Sequence, residues 1–282
     1  MADSLEAVRQ RIHGVQQLDA VIGAMRGIAA AHAQQSRALL PGFRAYADVI
    51  ARAIAQALRL RGLDARSVKE RHLRRGQIVF CAEHGFAGSF SEHVADAAGP
   101  ADAVLLVGSR GAAVLQARGV PPVWQTPMAT RVSGIATLCT RIADVLYRLM
   151  PEHGLGAIEA VFPVWESGLG LRIERRSLLP LDETRFRDSL AGVPPLTTLP
   201  PALLLENLAA EYVFAELCQM TMQAFMAENE ARVAAMVRAR GNVQDMLTAL
   251  QASERQVRQE AITAELVELA GAIRPPSHHG QS

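Results

Sequence analysis

Lysine is almost absent from this chain of 282 residues, which has Lys69 and otherwise relies on arginine for its basic groups. Lysine and arginine together number 29 against 28 acidic residues, and the formal net charge is +1. A chain without an overall positive field is not expected to attract nucleic acid or an anionic membrane surface. We therefore predict no nucleic-acid partner and look for partners in local features.

Cysteine is also scarce, with Cys81, Cys139 and Cys218 far apart and odd in number. A disulfide framework needs pairs of cysteines, and a structural zinc site needs closely spaced ligands. The histidines show no metal-ligand spacing either, apart from the adjacent His278 and His279. We expect three buried thiols, no metal and no cofactor.

Long apolar runs are missing, since no stretch of 18 apolar residues occurs. A membrane-spanning helix needs about 20 such residues. The first residues carry Asp3, Glu6 and Arg9 rather than an apolar run, which argues against a signal peptide. If the protein works at a membrane, we expect it to do so through other subunits, without inserting directly.

Proline is absent between residues 202 and 274, which leaves room for one very long helix. About 70 residues at 1.5 Å each would extend roughly 105 Å, too far for a globular domain of this size to bury. We predict a C-terminal coiled-coil helix over 202–274 and a disordered tail over 275–282. Its seam follows a heptad-like spacing: Met222, Met226, Asn229, Val233, Met236, Arg240, Val243, Leu247, Leu250, Glu254, Val257 and Ala261.

The amino-terminal segment, residues 1–61, has apolar residues at steps of three and four, which predicts a partner helix. Pro41 and Gly42 should kink this helix or break it into two collinear pieces. Residues 4–61 hold eight arginines against three acids, net +5, whereas 202–273 hold five arginines against ten acids, net −5. This complementarity favours an antiparallel coiled coil of the two ends.

Between the helices, residues 62–201 change to the pattern of an α/β domain, followed by a proline-rich linker. Residues 77–81 and 102–107 are short apolar runs that end at glycine turns, as buried parallel strands do. We also predict strands at 121–124, 157–165 and 169–179, the last two as a hairpin, and a helix at 132–149. This order predicts a doubly wound, Rossmann-like parallel sheet inserted between the terminal helices.

Several short motifs lie in a fixed order along the chain. Arg258 begins the run RQEAITAEL, and the amino end has Arg11-Ile12, Ala24-Met25 and the run IAAA from Ile28. Glycine turns lie at Gly85–Gly88 and at Gly108–Gly111. Together these resemble the γ subunit of F-type ATP synthases, which has RQxxITxEL near its end, RI…AM…VAAA near its start and a GLCG turn after its first strand.

The resemblance implies a rotor shaft with no catalytic site of its own. Its partners would be the hexamer of α and β subunits, the ε subunit and the membrane c-ring, and it would be peripheral on the cytoplasmic side of the inner membrane. The hexamer contacts carried over by position are Met25, Arg232, Arg258, Gln259, Thr263 and Glu265. The structural turns carried over are Gly85, Gly88, Gly108 and Gly111.

The chain also departs from this family at positions near the expected coupling region. Lysines usual in the family are replaced by Ala20, Gly23 and His32, the cysteine of the glycine turn is Ala87, and an expected asparagine is Arg255. These differences favour a divergent, alternative ATPase complex, with proton or sodium as the coupling ion.

Two other functions compete with the rotor. An α/β enzyme could hold phosphate on the backbone amides of the turn Gly85–Ser89, with Glu83 and His84 as an acid/base pair. The turn lacks both the GxGxxG spacing and the lysine of a P-loop, so a plain strand-to-helix turn is favoured. A coiled-coil adaptor would explain the long helices but leave the α/β domain and the motifs as coincidence. We assign no catalytic residue.

Overall fold

A computed structural model describes residues 2–60, 73–182, 186 and 196–272. The predicted tail at 275–282 and the linker residues Pro194 and Pro195 lie outside that part of the chain. In chain order the elements are α1 (Ala2–Leu60), β1 (Arg74–Phe80), α2 (Phe90–Ala97), β2 (Ala103–Val107), α3 (Gly111–Ala117), β3 (Trp124–Thr126), α4 (Ile135–His153), β4 (Leu155–Glu166), β5 (Gly170–Leu179) and α5 (Pro201–Ala272).

The chain divides into two compact units, and α1 and α5 contribute to both. One unit comprises Met1–Gly27 and Met236–Ser282, and the other comprises Ile28–Ala235. The second unit holds all five strands and therefore the α/β domain. We call them the terminal unit and the central unit.

Helix α1 continues through Pro41 as a single element. Proline removes one backbone donor and crowds the carbonyl four residues earlier, which destabilises a helix interior. The neighbouring Leu40 is buried in the main core of the central unit, and Phe43 packs against the same core. Because this packing holds the helix on both sides of the proline, the break that we considered does not occur.

The sheet has five strands in the order β3-β2-β1-β4-β5. The first four are parallel, and β5 pairs antiparallel with β4 as the second strand of a hairpin. The predicted α/β layer and its hairpin are thus confirmed, and β5 makes the sheet mixed at that edge. β2 is buried along its whole length and β1 from Gly76 onward, because both faces of the sheet are covered there.

Helices cover the sheet on opposite faces, as doubly wound folds require. Ile78 and Phe80 lie in a core that also contains side chains of α4 and α5. Val79 and Cys81, the alternate residues, lie in a second core with side chains of α2 and α3. None of these four residues is more than 1% exposed, so β1 is the centre of both cores.

The middle of α5 is the core helix of the central unit. Met220 and Met222 are fully buried there, and Phe225 contacts the ring of His32 on α1 with centroids 5.7 Å apart. Met226 and Met236 are also buried, in agreement with the predicted role of the methionines in seam packing, whereas Met246 is 51% exposed.

The three cysteines are buried and free, as predicted. Burial raises the pKa of the Cys81 thiol to about 12. Burial of a thiol in apolar surroundings disfavours the charged thiolate, so Cys81 is a neutral thiol at neutral pH.

Candidate functional site on the paired helices

Polar pairs join α1 to α5 inside each unit. Residue numbers rise along α1 while those of their partners fall along α5, so the helices run antiparallel in both units, as the charge pattern predicts. In the terminal unit the pairs are Arg9–Glu254 at 3.0 Å and Asp19–Arg240 at 3.2 Å. In the central unit they are Arg37–Glu230 and Tyr46–Glu211.

Met25, a predicted hexamer contact, lies in the apolar seam of the terminal unit. It is partly buried and packs against a cluster formed by Ile22, Met236 and Val243. Its side chain therefore stabilises the pairing of α1 with α5. Enough of it remains accessible for a partner to touch.

The segment from Arg258 to Glu265 lies within α5 and exposes most of its side chains to solvent. The Arg258 side chain is 51% exposed and donates to Glu254 at 2.8 Å, while Gln259 and Glu265 are exposed. The Thr263 hydroxyl donates to the Gln259 carbonyl at 2.8 Å, within the helix. Glu254 also accepts from Arg9, and this hydrogen bond lowers its pKa. The four predicted contact residues of this segment thus present polar groups that a partner could bind directionally.

Large aliphatic side chains stand exposed on the same two turns of α5. Ile262 is 53% exposed, Leu266 61% and Val267 67%. Single exposed apolar residues are common on protein surfaces, but contiguous ones mark interaction sites. We call the combination of this apolar group with Arg258, Gln259, Thr263 and Glu265 the α5 tip.

Arg232 lies in the central unit and turns toward its own α/β domain. Its side chain is 11% exposed and pairs with Glu228 one helical turn earlier. It also donates to the Asn229 side chain at 3.1 Å and to the Gly85 carbonyl at 3.3 Å. The structure thus brings Arg232 together with the first glycine turn, 147 residues away in sequence. Its contact with the hexamer stays a prediction.

Glu83, considered above as half of an acid/base pair, lies in the turn after β1, and its carboxylate binds residues that follow β2 and β3. It accepts from the backbone amide and hydroxyl of Ser109 at 3.0 and 2.8 Å. It also accepts from the amide of Met128 at 2.8 Å. Because it already accepts from three donors, this carboxylate stabilises the turns at the carboxyl end of the sheet.

Glycine is required at the second turn because Cys81, the residue that follows β1, approaches it closely. Gly108 has φ +101°, and a Cβ built there would lie 2.1 Å from the Cys81 carbonyl oxygen. A Cβ on Gly111 would lie 2.5 Å from the Cys81 sulfur. Both positions therefore exclude a side chain.

Glu228 is a residue whose role the sequence did not reveal. Its carboxylate is buried and accepts from the backbone amides of Glu83 and His84, each at 3.1 Å. The local signal in the sequence is its spacing of four residues before Arg232, which is typical of a helical ion pair. That spacing does not reveal a partner in the α/β domain.

The described ranges contain no group of three or more His, Cys, Asp or Glu side chains arranged to hold a metal ion. None of their helices is both long and apolar enough to cross a membrane.

Comparison with known proteins gives matches along nearly the whole chain. Residues 4–274 match the family model described as ATP synthase. The ATP synthase gamma chain of a Synechococcus species is 25% identical over 310 residues, covering 95% of this chain and 98% of that protein. The gamma chain of a Parafrankia species is 26% identical over 295 residues, covering 96% and 97%.

Solved structures show the same fold. One chain of the Euglena gracilis mitochondrial ATP synthase, in the structure of its OSCP, F1 and c-ring, superposes with a TM-score of 0.64. The two chains are 12% identical, and the match covers 100% of each. A chain of the Tetrahymena thermophila central stalk and c-ring gives a TM-score of 0.56 at 14% identity, covering 78% of this chain and 99% of that one.

Proposed function

The chain belongs to the ATP synthase family, and from this membership we propose that it is the γ subunit, the central rotor shaft of an F-type ATP synthase. It couples ion flow through the membrane ring to ATP synthesis or hydrolysis at the catalytic β subunits. Support comes from relatives that are named gamma chains and are covered over 97–98% of their length. The chain contributes no catalytic site of its own to the complex.

The observation that carries this proposal is the α5 tip. Ile262, Leu266 and Val267 are all more than half exposed on a helix that has α1 as its partner within the terminal unit. Exposed apolar surface costs about 25 cal/mol per Å², so a partner that covers these side chains would gain free energy. A shaft end enclosed by a ring of subunits meets this requirement.

The polar residues of the α5 tip suit a shaft that has to move. Rotation requires contacts that hold one state and release in the next, which means unequal binding of different states. Arg258 and Gln259 offer directional hydrogen bonds that break and re-form, whereas a wholly apolar surface would have no preferred angle. We assign them, with Thr263 and Glu265, to contacts with the α and β subunits, and Met25 and Arg232 to contacts near the β subunits.

The remaining partners follow from the related complexes. The Euglena structure combines a chain of this fold with F1 and a c-ring. By analogy, the α/β domain of this chain contacts the c-ring and the ε subunit at the foot of the shaft. The assembled subunit would lie peripherally on the cytoplasmic side of the inner membrane.

Co-purification tests the proposal. The full chain is co-expressed with the α and β subunits of an F-type ATP synthase from the same organism, and the complex is isolated through a tag on β. A rotor co-purifies at one copy per three β subunits and is needed for ATP synthesis coupled to an ion gradient. An adaptor unrelated to the synthase would not enter the complex, and an α/β enzyme would hydrolyse ATP as an isolated chain.

A further inference from the structure

The turn after β1 lies where doubly wound sheets bind their ligands. The chain passes from β1 to β2 through α2, which packs on one face, and reaches β4 through α4, which packs on the other. β1 has β2 and β4 as its two neighbours, so the strand order reverses at its carboxyl end. Such a switch point is the usual place for a phosphate, held by backbone amides of the turn.

A carboxylate of the chain itself occupies this place. Glu228 Oε2 accepts from the amide of Glu83, and Glu228 Oε1 accepts from the next amide, that of His84, both at 3.1 Å. Successive backbone amides that point at one anion form a nest. The residue is 2% exposed, so solvent does not supply these bonds.

Arg232 completes the surroundings of the carboxylate. Its guanidinium pairs with Glu228 and also donates to the carbonyl of Gly85, the residue that follows the two amides. The turn then passes through Phe86 at φ +64° and Gly88 at φ +66°. A positive φ is unfavourable for phenylalanine, so the turn needs outside support to keep this shape.

We propose that the β1–α2 turn is an anion-binding nest whose ligand is built into the chain as the carboxylate of Glu228. Helix α5 thus supplies the negative group that a free phosphate or carboxylate would supply in a ligand-binding relative of this fold. The internal ligand has two effects. It leaves no room for an exogenous anion in the unaltered protein, and it fixes the α/β domain to α5. The inference concerns the chain alone and does not depend on the rotor function.

Removing the carboxylate should convert the turn into a site for a small free carboxylate. Glu228→Ala deletes the atoms of one acetate molecule and leaves two amides and Arg232 without their anion. In the full chain we expect the thermal midpoint to fall by about 5 °C, because the charge-assisted hydrogen bonds to the carboxylate are lost. Acetate should restore at least half of that loss, while chloride at equal ionic strength should not.

Glu228→Gln is the matched control, because its amide fills the same space. One end of that amide is an N–H donor and opposes the donors of the turn, so stability should fall without rescue by acetate. Amide hydrogen exchange at Glu83 and His84 gives a local measure: both should exchange faster in the two variants, and acetate should slow exchange in Glu228→Ala alone.

Three results would overturn the inference. One is stabilisation of the unaltered protein by acetate as large as that of Glu228→Ala, and the second is rescue by chloride as complete as rescue by acetate. The third is wild-type stability of Glu228→Gln with both amides protected. If Glu228→Ala does not fold, the exchange rates of the two amides in Glu228→Gln decide the question, since unchanged protection there contradicts an anion nest.

Discussion

Three strands meet within a few ångströms at Cys81 and Gly108. The Cys81 amide donates to the Val107 carbonyl at 2.8 Å, and the Gly108 amide donates to the Thr126 carbonyl at 2.9 Å. These bonds extend the sheet by one residue on β1 and β2 beyond the strands themselves. They are possible only because Gly108 has no Cβ to meet the Cys81 carbonyl.

Gly108→Ala should therefore be among the most destabilising single changes in the α/β domain. We expect a loss of roughly 3 kcal/mol or more in the free energy of unfolding, from a strained φ together with a steric overlap. Gly168→Ala is the control, since Gly168 has a similar φ of +86° but nothing within 4 Å of its added Cβ. It should lose only about 1 kcal/mol from backbone strain. Equal losses in denaturant unfolding would show that contact with Cys81 is not the cause.

The residue scale is also where prediction from sequence reached its limit. The glycines were found because strand-to-helix turns have a recognisable spacing, and the buried thiols because their number and separation exclude other roles. The tasks of Glu83 and Glu228 were not found. The backbone amides that they bind lie between 26 and 145 residues away, and such bonds depend on how the elements dock rather than on any local pattern.

At the scale of elements, the terminal unit depends on one apolar seam. Ile22, Met236 and Val243 are its buried members, with Met25 and Leu247 partly buried beside them. The polar pairs at its edges are partly exposed, with side-chain exposures between 19% and 50%, and ion pairs in contact with solvent contribute about 1 kcal/mol or less. Apolar packing therefore supplies most of the stability of this unit.

Met236→Ala tests that conclusion. Truncating a buried methionine costs roughly 2–4 kcal/mol, so hydrogen exchange should accelerate in α1 before residue 28 and in α5 after residue 235. Met246→Ala makes the same chemical change on the same helix at a side chain that is 51% exposed. It should cost less than about 0.5 kcal/mol. Similar effects of the two changes would contradict a seam at Met236.

The elements were largely predictable because periodicity is a property of the local sequence. Steps of three and four residues located both long helices, and apolar runs ended by glycine located β1 and β2. Of the two outcomes predicted at Pro41, a kink or a break, the break was wrong, because proline is only a local signal. Packing of Leu40 and Phe43 into the core overrides the local cost of the proline, and no sequence rule measures that contribution.

At the scale of the whole molecule, the proposed rotor function depends on the contacts that we predict for the α5 tip. Its residues make few bonds within the chain: Arg258 pairs with Glu254 on its own helix, and Thr263 bonds to a helical carbonyl. Such bonds contribute little to folding. The side chains are therefore available for partners, and their loss should affect the complex more than the chain.

Replacing Arg258 and Gln259 together by alanine separates these effects. We expect coupled ATP synthesis by the assembled complex to fall roughly tenfold, which corresponds to losing about 1.4 kcal/mol of state-dependent contact. Hydrogen exchange in residues 73–182 should not change. Arg238→Ala with Gln244→Ala removes the same side chains from exposed positions outside the motif and should leave synthesis near the wild-type rate. Unchanged synthesis in the first variant would remove the assigned contact role.

The proposed rotor function is tested most directly by observing rotation of single complexes. The α and β hexamer assembled with this chain is fixed to a surface, and a probe is attached to the α/β domain through a cysteine placed at the exposed hairpin residue Leu169. On addition of ATP we predict rotation of the probe in one direction, stopping when ATP is removed. ATP hydrolysis by the same complexes with a stationary probe, or a hexamer that excludes the chain, would contradict a rotor.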